Sequence, residues 1–396
     1  MINKRLETLT KKNSAIRAMF EEGKRLSKIY GEENVYDFSL GNPSVESPAL
    51  VKESIVDMVS SNDSLTIHGY MSNSGYPFVR KTIADQLNSI DNLGYSENNI
   101  IMTVGAAGGL NCVLQTLLNP GDEVIVVAPF FVEYINYIEN WQGKTIIVET
   151  NSSDFSLSPV NILNGITEKT KAIIINNPNN PTGVVYNEIN IIKVCDVLRK
   201  KAKEYGHPIY IVSDEPYREL VYDNVMVPFI PKYYDNTIIV YSWSKSLSLP
   251  GERIGYIAIS PKAADSELIF SACSISNRII GFVNAPSLMQ RVVRECLECK
   301  PDVSIYNSNR ELLYNELTKI GFECTFPQGA FYLWVKTPCD EDLLIEKAKS
   351  LHLLVVGGSG FYKKGYIRIA YCVSNQTAKK SICVFKNLWN CLVKDS

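Results

Sequence analysis

From residue 76 onward the chain switches repeatedly between two hydrophobic periods. Tyr76 to Leu93, Ala106 to Leu118 and Glu188 to Tyr205 space their apolar side chains three and four apart, which predicts helices. Asn99 to Val104, Asp122 to Val127, Lys144 to Glu149, Lys171 to Asn176, Ile209 to Ser213, Thr237 to Tyr241 and Arg253 to Ile259 are short, nearly unbroken apolar runs. Runs of this kind predict strands covered on both faces, the mark of a mostly parallel sheet. The C-terminal part reads differently. Helices over Ala285 to Cys299 and Val303 to Ile320 precede short strands at Ala330 to Val335, Leu353 to Val356 and Tyr366 to Ala370, and a terminal helix starts at Asn375. The first forty-five residues, a helix and then Val35 to Leu40, are too few to bury a core alone and are expected to join that α+β part. The expected architecture is α/β, with a three-layer large domain over residues 48–284 and a smaller α+β domain from 1–47 and 285–396.

Composition narrows the partners. In 396 residues, 40 basic and 42 acidic side chains leave a net charge of −2, and no polybasic tail recruits nucleic acid or anionic membrane. The longest apolar stretch, Val124 to Val132, contains Pro129 and falls far short of a membrane span. Met1 to Glu7 runs straight into charge and lacks the apolar core of a signal peptide, so a cytoplasmic, soluble protein acting on small molecules is expected. His68, His207 and His352 are the only histidines and none is at i, i+4 spacing from another, so neither a metal site nor a histidine relay is expected. Ten cysteines are scattered; Cys296 and Cys299 form a Cys-x-x-Cys with no second pair and read as small apolar groups in a helix. Reduced thiols fit the cytoplasm.

Four features carry chemistry. Ser242-Trp243-Ser244-Lys245 ends a strand, with Arg253 eight residues beyond the lysine. A desolvated amine can form a Schiff base, and hydroxyls with a guanidinium can hold a phosphate, although a lysine after a strand is usually a solvated loop residue. Ser213-Asp214-Glu215-Pro216-Tyr217 lies at a strand's carboxyl end, where α/β sheets bind ligands and where an Asp can equally cap a helix. Asn176 to Gly183 is dense in Asn and Pro, either a plain rigid turn or a turn that presents one amide at a fixed point. Val104-Gly105-Ala106-Ala107-Gly108-Gly109 opens a helix whose first N–H groups suit an anion, without being a P-loop.

As a set, Ser-x-Ser-Lys with Arg eight residues on, Asn-Pro-Thr-Gly and Asp-x-x-Tyr resemble the fold-type-I pyridoxal phosphate enzymes, specifically the class I and II aminotransferases. The resemblance runs from Ser39-Leu40-Gly41-Asn42-Pro43 to Tyr366-Ile367-Arg368-Ile369-Ala370. It implies a fold-type-I architecture, pyridoxal 5′-phosphate on Lys245, and Lys245 as the base that moves the substrate Cα proton. It implies Asp214 at the pyridine nitrogen, Tyr217 and Asn180 on the ring oxygen, and Phe131 stacked on the ring. The phosphate would be held by Ser242, Ser244 and Arg253, by the backbone of Gly105, Ala106 and Ala107, and by Tyr70 from a partner subunit, so a homodimer with shared active sites is implied. Arg368 would grip the substrate α-carboxylate, beside Gly41 and Asn180.

The implied activity is ping-pong transfer of an amino group between an L-amino acid and a 2-oxo acid. Departures bear on the substrate. Positions where branches of the family place a cation for a second carboxylate are Ala272 and Ala107 here, so a preference for aspartate or glutamate is not supported; Arg278 is close enough to substitute. A pyridoxal phosphate-dependent C–S β-lyase, which uses the same lysine and cofactor, is the alternative. A non-enzymatic regulator is disfavoured because every expected catalytic position is filled.

Overall fold

The computed structural model describes residues 2–11 and 15–394. Met1, where the leader reading starts, and residues 12–14 and 395–396 of the expected smaller domain lie outside the described residues. Along the chain the strands are β1 (Tyr36–Asp37), β2 (Ile100–Thr103), β3 (Glu123–Ala128), β4 (Lys144–Glu149), β5 (Thr170–Asn176), β6 (Tyr210–Asp214), β7 (Thr237–Ser242), β8 (Gly255–Ile259), β9 (Glu323–Thr325), β10 (Tyr332–Lys336), β11 (Leu353–Leu354), β12 (Val356–Gly357) and β13 (Tyr366–Ala370). The chain divides into two units, Val45–Asn179 with Val185–Asp302, and Met1–Ser44 with Asn180–Val184 and Val303–Ser396.

The larger unit is built on a seven-stranded sheet in the order β2-β8-β7-β6-β5-β3-β4. The pairs from β4 through β7 are parallel, and β8 runs against both its neighbours. Side chains alternate between the faces, as strand geometry requires. Ile101, Val126, Ile174, Val212, Val240 and Ile257 join one core with the helices Gly105–Leu117, Glu133–Asn140 and Ser266–Ile279. Met102, Ile239, Tyr241 and Tyr256 join the other with the helix Pro77–Ile90. Helices on both faces of a mostly parallel sheet make three layers, and the apolar runs are buried for that reason.

Three expectations change. The β4 run was expected to be covered on both faces, but it forms the sheet edge; Lys144 and Glu149 are exposed, and such charges blunt an edge against further pairing. The last strand of this sheet begins at Gly255 rather than Arg253, because Arg253 takes a left-handed φ of 53° that no strand accommodates. The helix Ser287–Glu295, expected with the C-terminal part, belongs to the larger unit: Met289, Val292, Val293 and Cys296 recur at helical spacing and are buried with Ile83 and Tyr256. The break in contacts falls at Asp302/Val303 instead of 284/285.

The smaller unit carries a four-stranded antiparallel sheet, β12-β13-β10-β9, and a separate parallel pair of β1 and β11. The single run expected over Leu353 to Val356 is therefore two short strands in two sheets. The helices Ser304–Ile320 and Asn375–Lys394 pack together, and the rings of Phe38, Phe385, Phe322 and Trp389 touch in that order in one aromatic cluster.

Candidate active site

In the larger unit, parallel pairing of β6 with β7 sets Asp214 opposite Val240 and brings their carboxyl ends side by side. Ligands of open α/β sheets bind outside such ends. Asp214 is buried, and its Oδ2 accepts the hydroxyl hydrogen of Tyr134, which opens the helix Glu133–Asn140. Its Oδ1 is buried with no hydrogen-bond partner. Burial lifts the Asp214 pKa from 3.8 to about 7; the Tyr134 bond opposes the rise and the Glu215 carboxylate adds to it. A buried carboxylate with one oxygen unused is an acceptor prepared for a donor. The Phe131 ring stands edge-on to Tyr134, 5.7 Å away, and Tyr217 is buried just beyond Asp214.

Lys245 lies in the short helix Trp243–Ser246 that follows β7, half-buried and next to Ser244 in the chain. Ser242 caps that turn, its Oγ accepting from Ser244 N at 3.1 Å, and the two hydroxyls are 2.6 Å apart. Arg253 reaches Ser244 Oγ from 3.5 Å and donates to the Pro250 carbonyl at 2.9 Å. Gly105 has a left-handed φ of 73° that favours glycine, and a Cβ there would stand 2.8 Å from the Arg253 guanidinium, which would have to shift. Two hydroxyls, a guanidinium and the first turn of the helix Gly105–Leu117, which has no side-chain cap, thus face one small region. Ala106 and Ala107 continue that first turn. This donor set suits a phosphate dianion.

Arg368, in the smaller unit's β13, is 2% exposed. Its Nη1 donates to Asn180 Oδ1 at 3.0 Å and its Nη2 to the Ser39 carbonyl at 2.5 Å. The guanidinium lies between two rings, Tyr332 at 4.5 Å and Phe361 at 4.8 Å. Asn180 belongs to this unit because Gly183 ties its segment to the loop before β10, accepting from Gln328 N and Gly329 N. At Gly41 a Cβ would be 2.1 Å from the Tyr332 hydroxyl, so the backbone passes the ring only as glycine.

The expected residues fall into these two clusters: Gly105, Ser242, Ser244 and Arg253 gather in one, Asn180, Gly41 and Arg368 in the other. Tyr70 is 93% exposed and joins neither. Ala272 lies on the helix Ser266–Ile279 with the exposed Arg278, while Ser276 and Asn277 are engaged with Gln115 and the Asn73 carbonyl. Sequence reasoning missed Tyr134, Tyr332 and Phe361. Tyr134 was within reach, three residues past Phe131; the two rings gave no local signal. Among the described residues no group of three or more His, Cys, Asp or Glu is placed to hold a metal ion.

The family model "Aminotransferase class I and II" matches residues 33–383. The chain is similar to a solved amino transferase from Eubacterium rectale, with 42% identity, a TM-score of 0.96 and 98% of each chain covered. It is similar to the aspartate aminotransferase of Bacillus subtilis, 31% identical over 96% of both chains. The aspartate aminotransferase of Thermus thermophilus, solved with maleate, is 26% identical with a TM-score of 0.86, covering 98% of this chain and 99% of that one. The chain belongs to the class I and II aminotransferases, of fold type I, and is a pyridoxal phosphate-dependent enzyme that transfers amino groups between amino acids and 2-oxo acids. Nothing among these relatives favours the C–S β-lyase alternative.

Proposed function

We propose that Lys245 is the catalytic base of this transamination and that Asp214 and Arg368 act on its two ends. When bound, pyridoxal phosphate supplies a protonated pyridine ring that takes up the electron pair left at the substrate Cα. The observation that carries the assignment is Asp214 Oδ1, a buried acceptor with no partner at the carboxyl end of β6. A pyridinium N–H would satisfy that oxygen, and its positive charge would favour the ionised carboxylate against the burial that raises its pKa. The Gly105 cradle supports the phosphate assignment, since a side chain there would displace Arg253. By the family resemblance, Ser242, Ser244, Arg253 and the backbone of Gly105, Ala106 and Ala107 would hold the phosphate, Phe131 would pack on the ring, and Tyr217 and Asn180 would donate to the ring oxygen.

Lys245 Nζ would take the Cα proton and deliver it to the cofactor's C4′ carbon, and would run the same transfer in reverse in the second half-reaction, so one amine serves both. Arg368 pairs with the substrate α-carboxylate beside Gly41. Its fixed plane orients the substrate so that the Cα–H bond meets the base.

The fully exposed Tyr70, near Leu65 at 86% exposure, supports a homodimer in which Tyr70 completes the partner's phosphate site. Five of the ten cysteines, Cys112, Cys195, Cys273, Cys296 and Cys372, are buried as small apolar groups, which supports a reducing, cytoplasmic compartment. The curated relatives are aspartate and aspartate/prephenate aminotransferases by name. Ala107 and Ala272 give this chain no cation at the two positions that would hold a second carboxylate, and Arg278 is the cation on the helix Ser266–Ile279 that carries Ala272.

The holoenzyme mixed with single amino acids, without a 2-oxo acid, tests the reading. Bleaching of the visible cofactor band with one equivalent of 2-oxo acid, by donors lacking a second carboxylate as well as by aspartate, is expected. Reaction confined to aspartate and glutamate overturns the substrate reading, and catalytic release of pyruvate and ammonia overturns the delivery of the Cα proton by Lys245 to the cofactor, since elimination uses the same base but a different next step.

A further inference from the structure

We propose that Glu341 is a positioning residue for substrate binding: its buried carboxylate fixes the turn that presses Phe361 onto Arg368. The inference rests on the reading of Arg368 as the α-carboxylate anchor and deepens it.

Glu341 opens the helix Glu341–Ser350 and is 1% exposed. It is not needed to start that helix, because Asp340 already caps it by accepting from Asp342 N and Leu343 N. Its carboxylate turns instead to the segment between β12 and β13. Oε1 accepts from Ser359 N at 3.0 Å and Ser359 Oγ at 2.6 Å; Oε2 accepts from Gly365 N at 2.9 Å and Ser359 N at 3.3 Å. Ser359 lies within the turn Gly358–Phe361 and Gly365 just beyond it, so the two anchored residues bracket Phe361 and the left-handed Tyr362. Gly357 closes on the same group, since a Cβ there would lie 2.3 Å from Oε1.

Three backbone and hydroxyl donors converging on one buried group need an acceptor with two oxygens, which only a carboxylate provides. Phe361 rides on this turn, fully buried, with its ring edge-on to Trp334 at 5.8 Å and over the Arg368 guanidinium at 4.8 Å. The Tyr332 ring is the second aromatic against the guanidinium, at 4.5 Å. The two rings define the guanidinium plane, and a bidentate carboxylate pairing depends on that plane. Releasing the turn lets Phe361 withdraw and Arg368 tilt, so substrate loses its orientation although no atom that touches it has been removed.

The test uses holoenzyme and the amino acid that wild type turns over best, with the cofactor band read in single turnover. Glu341→Ala should raise the apparent dissociation constant about tenfold, with a smaller fall in the limiting rate. Phe361→Leu should do the same, and the double variant should be no worse than the worse single one, because both act through one contact. Hydrogen exchange at the Ser359 and Gly365 amides should accelerate in Glu341→Ala, and Glu341→Gln should restore part of both the affinity and the protection. Equal loss of affinity and limiting rate, additive single effects, or faster exchange with unchanged affinity overturns the proposal. Arg368→Lys, run alongside, separates the two readings. If it binds substrate as wild type does, the anchor assignment fails; if it weakens binding while Glu341→Ala does not, the positioning role fails.

Discussion

On the proposed assignment, the two clusters would hold anions by opposite means. The phosphate cradle in the larger unit is made of backbone, short hydroxyls and the exposed Arg253, drawn around a glycine and a helix start. The carboxylate anchor in the smaller unit is a single guanidinium, 2% exposed and fixed between two aromatic rings. A cradle of many weak donors keeps most of its affinity when one is lost. An anchor with one charged group concentrates affinity and orientation in a single side chain, and whatever fixes its plane becomes part of the site. The difference suits a ligand that stays against one that must enter and leave in each half-reaction.

The largest effect expected is at the chemistry itself, which neither anion site can replace. Lys245→Ala removes the only base assigned to the Cα proton, and turnover should fall by at least about a thousandfold. The phosphate cradle is untouched in that variant, so cofactor should still be recovered with the protein on gel filtration. Turnover within about tenfold of wild type would remove the lysine from the mechanism.

Next comes the anchor. Arg368→Ala should lower kcat/KM about a hundredfold for every amino acid alike, chiefly through KM, because the α-carboxylate is common to all of them. Loss confined to one substrate would mean that Arg368 reads side chains. Arg253→Ala, which takes one donor from the cradle, sharpens the contrast: it should weaken cofactor retention while leaving the KM for amino acids within about threefold.

How much of each cluster was legible in the sequence follows the same division. The cradle was legible because it is local. Ser242, Ser244, Lys245 and Arg253 lie within one strand end and the next strand's approach, and Gly105 opens a helix directly after a strand. The sheet was legible because burial on both faces leaves unbroken apolar runs, and β4 was misjudged because the same composition serves at an edge. The anchor's surroundings were not legible. Ser39, Asn180, Tyr332, Phe361 and Arg368 come from five separated segments, and only Arg368, Asn180 and neighbouring Gly41 could be assigned by resemblance. Tyr332 and Phe361 read as ordinary core aromatics, which they also are. The helix Ser287–Glu295 was assigned to the wrong unit for a related reason: its apolar stripe says that it must be covered, not by what.

The smallest effect expected concerns Tyr134, whose hydroxyl hydrogen-bonds a charge that the rest of the site leaves half unsatisfied. Asp214 titrates at about 7 in the folded chain against an ordinary 3.8, so its contribution to stability is full at low pH and is lost as pH rises through about 7. The Tyr134 bond lowers that pKa, and Tyr134→Phe should raise it further. In cofactor-free protein, wild type should therefore stop losing stability above neutrality while the variant goes on losing it. The gap between their unfolding free energies should stay constant at lower pH and widen above about pH 7, by roughly 1.4 kcal/mol per unit of pKa difference. Urea melts at half-unit steps from pH 5 to about pH 9 measure that gap. A gap that narrows above neutrality would mean that the hydroxyl stabilises the protonated acid, and that Tyr134 does not help to hold the Asp214 carboxylate in its charged form.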